Sequence, residues 1–223
     1  GGLKGKMPVH DAFVEAEAML MEAVDVRKRL SQQATGEALM SVGYLHYCKA
    51  VVLNKAPASP WEGVAGGGGR RAVVETEYRT ALQHYSQALS LLLPVASPDL
   101  SEAIRPLCNI ALIHKALAHY APSSLLLAHQ WSSRALLLQE NAYGASHELS
   151  RRIRADLMGI QGAITTAGVA VTGGGAAAVH AQGPSEVAAA QEVDALIMAR
   201  MPRPPPPPSP PATGDAGGAV PGR

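Results

Sequence analysis

The chain has 223 residues, 47% of them hydrophobic, 17% charged and only 4% aromatic, so Leu, Ala, Val and Met must build the core. A net charge of +1 and a pI near 8.0 supply neither the basic surface of a nucleic-acid binder nor that of an anionic-membrane binder. No run of 18 or more strongly apolar residues is present to span a bilayer. The length fits one domain of about 150–170 residues with loose ends.

Residues 1–10, GGLKGKMPVH, lack an initiating Met and the apolar core of a signal peptide, and read as the disordered start of a fragment. A first helix is expected from Asp11, a plausible N-cap, to Arg29, where Arg27, Lys28 and Arg29 favour the negative end of the helix dipole. Thr35 is expected to cap a second helix to Leu53. The stretch 55–71, KAPASPWEGVAGGGGRR, reads as a flexible insertion. A third helix covers Val73 to Leu93 and stops at Pro94. Pro98 and Asp99 open a fourth from Leu100 to Tyr120, Pro122 opens a fifth to Gln139, and Ser146 caps a sixth that frays after Gly162. The helical domain is thus placed at 11–164, followed by a Gly/Ala linker over 165–184 and a short amphipathic helix over 185–201. Residues 202–223 form a disordered proline-rich tail, with Pro204–Pro208 in polyproline II.

Nothing in this order is strand-like. Cys48 and Cys108 fall on apolar helical faces as free thiols, which favours a reducing compartment, and a cytoplasmic location is expected.

One pattern recurs. Ala-x3-(Leu/Tyr/Ser)-x2-Ala occurs at Ala16/Leu20/Ala23, Ala81/Tyr85/Ala88 and Ala128/Ser132/Ala135, each time in an apolar helix followed by another helix. Residues three and four apart share one face, and alanine at both ends lets a neighbouring helix approach closely. One helix cannot bury such a stripe alone, so stacked antiparallel pairs are expected, with an irregular helical bundle as the alternative.

On these residues the chain resembles the tetratricopeptide repeat family. Glu77–Leu91, EYRTALQHYSQALSL, is close to the family's second-helix consensus, and Asn109-Ile110-Ala111-Leu112 resembles the core of a first helix. Ala135–His147, with Glu140, Gly144 and His147, looks like the longer repeats of kinesin light chains, in which the Gly and His shape the turn between repeats. Gly144 supplies the positive φ such a turn requires. The resemblance covers about residues 11–160, with copies 65 and 47 residues apart rather than at one fixed period. It implies an all-α, right-handed superhelical solenoid of α-α hairpins, about three helix pairs long. It also implies a non-catalytic adaptor that takes a peptide or helix on the concave face lined by the first helices of each pair.

For that face the residues chosen are Tyr44, Tyr47, Asn109, His114, Arg151 and Arg154, because Tyr and Arg supply binding energy when desolvated. Many family members grip the acidic tail of chaperones with Lys and Asn. Matching the helices gives Asn109 an amide position, Arg151 a cation position and His147 a position usually held by Lys. Met40 and Tyr44 stand where Lys and Asn are usual, so half of that clamp is missing. A second reading makes the chain a co-chaperone, or the C-terminal interaction part of a larger enzyme such as a prolyl isomerase or a methyltransferase.

No catalytic pattern is found. Gly66–Gly69 lacks the Lys-Ser/Thr pair and preceding strand of a phosphate loop, and Ser146, His147 and Glu148 are adjacent in sequence without facing geometry. The eight histidines include no His-x3-His pair, and neither cysteine is in a Cys-x2-Cys pair, so no metal or cofactor is expected. His46, Cys48, His84 and Cys108 are expected in or near the core. Pro204–Pro211 satisfies the Pro-x-x-Pro rule of ligands for aromatic-lined grooves of the SH3, WW and profilin type.

Overall fold

The computed structural model describes residues 9–55, 68–97, 100–168 and, between 190 and 199, all but 192, 197 and 198. Among these residues the chain is helical throughout, with no strand. The six α-helices are α1 (Val9–Arg27), α2 (Gln32–Lys55), α3 (Gly68–Leu92), α4 (Ser101–Leu117), α5 (Ser124–Tyr143) and α6 (Glu148–Thr166), with a 3-10 turn at Leu93–Val95. The insertion expected at 55–71 is shorter at both ends: Lys55 closes α2, α3 already begins at Gly68, and residues 56–67 lie outside the described part. So do 1–8, 169–184 of the linker, and the tail with Pro204–Pro211.

Local chemistry sets the helix ends. Thr35 does not cap α2. Ser31 does, its hydroxyl accepting from the N–H of Ala34 at 3.0 Å, while the Thr35 hydroxyl donates to the Ser31 carbonyl at 2.8 Å. A Ser in this place satisfies a donor that the helix itself leaves open. At the far end of α2, Arg70 donates through Nε to the Leu53 carbonyl at 2.8 Å, a cation on the negative end of the helix. Likewise α6 is capped by His147 rather than Ser146: its Nδ1 accepts from the Leu149 N–H at 3.2 Å. Gly144 ends α5 at φ +87°, and its carbonyl accepts from the Ser150 hydroxyl at 2.8 Å. Leu100 enters α4 at φ 57°, a conformation that costs an L-residue about 1–2 kcal/mol. Its side chain is 1% exposed, and burial of that size offsets the strain.

The helices pack chiefly on their neighbours in sequence, most extensively α2 on α3 and α4 on α5. The alanine pattern is the seam of the first pair. A Cβ at Gly43 would stand 3.1 Å from the Tyr85 ring and 3.3 Å from the Ala81 carbonyl oxygen. A Cβ at Gly36 would stand 2.8 Å from Leu92 and 3.3 Å from the Ala88 carbonyl oxygen. Two glycines seven apart therefore bring α2 antiparallel onto two alanines seven apart, and α2 and α3 meet almost backbone to backbone. Helical residues between 190 and 199 add a further layer. Val193 is wholly buried in the main core, and Asp194 receives both Nε and an NH2 group of Arg134 on α5 at 2.7 Å. The Arg134 guanidinium in turn lies 4.8 Å from the Trp131 ring centre.

Between α1, α2 and α3 sits a half-buried ionic cluster around the buried His46. His46 bonds through Nδ1 to Glu77 at 2.7 Å and lies 3.7 Å from Glu17 through Nε2, while Lys49 meets Glu77 at 2.6 Å. The His84 ring stacks on His46 at 5.5 Å. Burial and the neighbouring charge of His46 lower the His84 pKa against the opposing pull of Glu17. Burial pushes Glu77 up, but the hydrogen bonds and charges of Lys49 and His46 outweigh it and leave Glu77 below its ordinary value. Both groups bind protons less readily folded than unfolded, so stability falls as pH falls. The loss begins below the ordinary histidine value of 6.5 through His84 and continues below 4.5 through Glu77. Urea denaturation at about pH 7.5, 5.5 and 4 is expected to show the midpoint dropping at each step, the first drop shrinking in His84→Gln. A midpoint that rises toward acid would contradict this assignment.

Candidate functional site

The face formed by α2, α4 and α6 carries three hollows that share their walls. The first, about 380 Å³, lies between α2 (Glu37, Met40, Ser41) and α4 (Glu102, Arg105). Next to it, a groove of about 540 Å³ is walled by Ile104, Arg105 and Asn109 of α4, Tyr143 of α5, His147, and Leu149 of α6. A smaller cavity of about 70 Å³ follows between Leu112 and Lys115 on α4 and Ile153 and Asp156 on α6. Ser101 and Arg105 border the first two, and Cys108 borders the last two, so the three hollows adjoin in a row that forms a channel-like face along α4.

Helix periodicity explains the wall. On α4, Ala103, Leu107, Ile110, His114 and Leu117 recur at three- and four-residue steps and are buried. The opposite flank presents Arg105, Asn109 and Leu112 to the channel. Among the described residues Arg105 is exposed and has no ion pair, and Arg27, at the edge of the first hollow, has none either. Glu102 is occupied, taking the Ser97 N–H at 3.0 Å and the Ser97 hydroxyl at 2.6 Å. The His147 ring is held in place by Gln139 at 3.1 Å and by the tilted Tyr143 ring at 5.3 Å. With Nδ1 accepting from Leu149, its Nε2 is left as the donor. Burial, with the charge of Asp156 adding to it, pushes the Cys108 thiol up to about 11, so it stays protonated and lines the groove as an apolar group.

The six residues chosen from the sequence divide. Asn109 is half-buried in the groove wall. Tyr44 is 58% exposed on α2, one turn beyond Met40 and Ser41, and stacks on Tyr47 at 6.4 Å. Tyr47 is half-buried and tilts against the buried Tyr78 at 6.0 Å, so it supports Tyr44 from behind. The other three stand elsewhere. His114 is 2% exposed, inside the buried stripe of α4, and has no access to the channel. Arg151 lies two residues on from Leu149, about 200° round the helix, on the outer flank of α6, where it pairs with Glu148 at 2.6 Å. Arg154 pairs with Glu140 across the α5–α6 contact. Sequence reasoning missed Arg105, Gln139, Tyr143 and Leu149. Arg105 had a readable signal, since it sits four residues before Asn109 on the same helical face.

Among the described residues no group of three or more His, Cys, Asp or Glu is arranged to hold a metal ion. Among them, too, no helix is long and apolar enough to cross a membrane. No family model, no curated protein and no solved structure matches the chain. The tetratricopeptide likeness therefore rests on the residues quoted for it alone.

Proposed function

We propose that this chain is a non-catalytic adaptor, a tetratricopeptide-like solenoid with the helix pairs α2–α3 and α4–α5 set between α1 and α6, that holds an extended acidic segment of another protein. The observation that supports this reading is the row of adjoining hollows along α2, α4 and α6, with Arg105 shared by two of them and carrying no ion pair among the described residues. A carboxylate laid there meets a charged donor in Arg105, an amide in Asn109 and the imidazole N–H of His147. Ile104, Leu149 and Ile153 offer apolar contact on either side. Charge-assisted hydrogen bonds of this type contribute about 1.5–3 kcal/mol each. At the α2 end the hollow is lined by Arg27, Gln33, Glu37, Met40 and Ser41, so that end favours a polar side chain of the segment over a large apolar one.

The test is fluorescence anisotropy with three pools of labelled octapeptides, acidic, neutral and basic. The acidic pool is expected to bind best, and Arg105→Glu to weaken it by at least about tenfold, or about 1.4 kcal/mol. Arg154→Gln, away from the channel, should leave binding unchanged. Equal binding of the three pools, or indifference to Arg105→Glu, would sink the proposal.

A further inference from the structure

The three copies of the alanine pattern do not share one environment. In α3 and α5 all four alanines, Ala81, Ala88, Ala128 and Ala135, are wholly buried, and in α3 the backbone of α2 lies against them. In α1 the matching Ala16 and Ala23 are only half-buried. The flank they sit on runs into Met19 and Val26, 65% and 54% exposed, whose counterparts in α5 are the buried Trp131 and Leu138. On the other flank of α1, Val24 is 1% exposed, just as its counterpart Leu89 is buried in α3. So α1 has the sequence of a second helix in a pair, packs onto the next pair as such a helix does, and leaves open the face on which a first helix would lie.

At the other end, α6 shows the converse. It buries Ile153, Ile160 and Ile164 inward, as a first helix does against the preceding pair. Its outward flank carries Ala155, Met158 and Gly162. Met158 is 73% exposed, and a Cβ at Gly162 would meet nothing within 4 Å. Ala155 and Gly162 are seven apart, as are Gly36 and Gly43 of α2, which receive α3. Within the described residues α6 is a first helix without its second.

From these two ends we infer that copies of this chain associate head to tail, the outward flank of α6 in one copy docking on the open face of α1 in the next and completing a helix pair between them. Charge favours this arrangement over a symmetric one. Helix α1 carries five acidic residues and one arginine, whereas α6 carries three arginines and two acidic residues. Glu15 and Glu22 border the open face of α1, and Arg151, paired on its own helix with Glu148, borders that of α6 together with the exposed Arg152. Pairing α1 with α1 sets the acidic border against itself, which is destabilising. A heterologous contact of this kind does not close at two copies, so the assembly lengthens with concentration.

Sedimentation velocity on the full chain tests this, from about 1 to about 200 μM, a range that reads dissociation constants of common weak contacts. The mass is expected to climb beyond the dimer and to fall with added salt. Blocking α1 with Met19→Glu and Val26→Glu, or α6 with Met158→Glu and Gly162→Leu, should give monomers, because each copy still needs both ends to extend. Mixed one to one, the two blocked chains should form dimers and nothing longer. Charge reversal supplies an independent reading that leaves the apolar faces intact. Glu22→Arg and Arg151→Glu should each weaken association about tenfold and regain it when mixed. A chain that stays monomeric across the range overturns the inference, and so does a blocked variant that dimerises alone as well as the native chain.

Discussion

Replacing Trp131 by Ala is expected to lower the unfolding free energy by about 3–5 kcal/mol, the largest single loss in the domain. Trp131 has no exposed surface and is the largest of the fully buried side chains among the described residues. It contributes apolar area to the main core and holds the Arg134 guanidinium over its ring, and Arg134 in turn holds Asp194 of the last helical segment. Deleting the indole therefore opens a cavity and loosens a second layer at once. Against a typical total of about 5–15 kcal/mol, the variant should be partly unfolded at physiological temperature. Trp131→Phe keeps most of the area and should lose far less. Urea denaturation followed by circular dichroism measures both, and an Ala variant within about 1 kcal/mol of the native chain would contradict this placement.

The second large effect is at the seam between α2 and α3. Gly43→Leu should destabilise the domain by about 1–3 kcal/mol or more, although leucine is the better helix former by nearly 1 kcal/mol. Packing wins here because the first added carbon already stands 3.1 Å from the Tyr85 ring and 3.3 Å from a carbonyl of α3 that has little freedom to move. Gly43→Ala should come out near neutral, its gain in helix propensity offsetting a small shift of Tyr85. Gly162→Leu on α6 serves as the contrast: with nothing within 4 Å it should be neutral or stabilising in the monomer. If Gly43→Leu behaved like Gly162→Leu, α2 and α3 would not approach as closely as described.

The helical order was legible because six apolar stretches at helical spacing are separated by Pro, Gly and Ser signals. The ends were legible only to within a turn. Thr35 and Ser31 are equally good caps on paper, and only the fold shows that Thr35 is needed inside the core. Gly36 and Gly43 gave little warning of their role in the sequence. Their close contact becomes visible only when α3 brings Ala81 and Ala88 to the same spacing.

The channel was half legible. Asn109 follows from the family resemblance, and Arg105 follows from Asn109 by helical spacing. His114 lies off the channel for the same reason that Arg105 lines it: five residues on from Asn109 it has turned about 140° round the helix into the stripe shared with Leu107 and Ile110. Arg151 was placed by analogy of position and Arg154 as an interface arginine, but α6 is rotated so that Leu149, Ile153 and Asp156 face α4. The exposed face of α1 had no signal at all, because the pattern Ala16/Leu20/Ala23 reads the same whether a helix covers it or not.

The most direct measurement for the channel is a map of backbone amide shifts on adding the acidic octapeptide pool to the labelled full chain. The shifts should follow the channel, through residues 37–44 of α2, 101–109 of α4 and 147–149 at the start of α6, and disappear in Arg105→Glu. Shifts concentrated on α3 and the outer side of α5, or spread evenly over the domain, would show that the α2, α4 and α6 face is not where this protein binds.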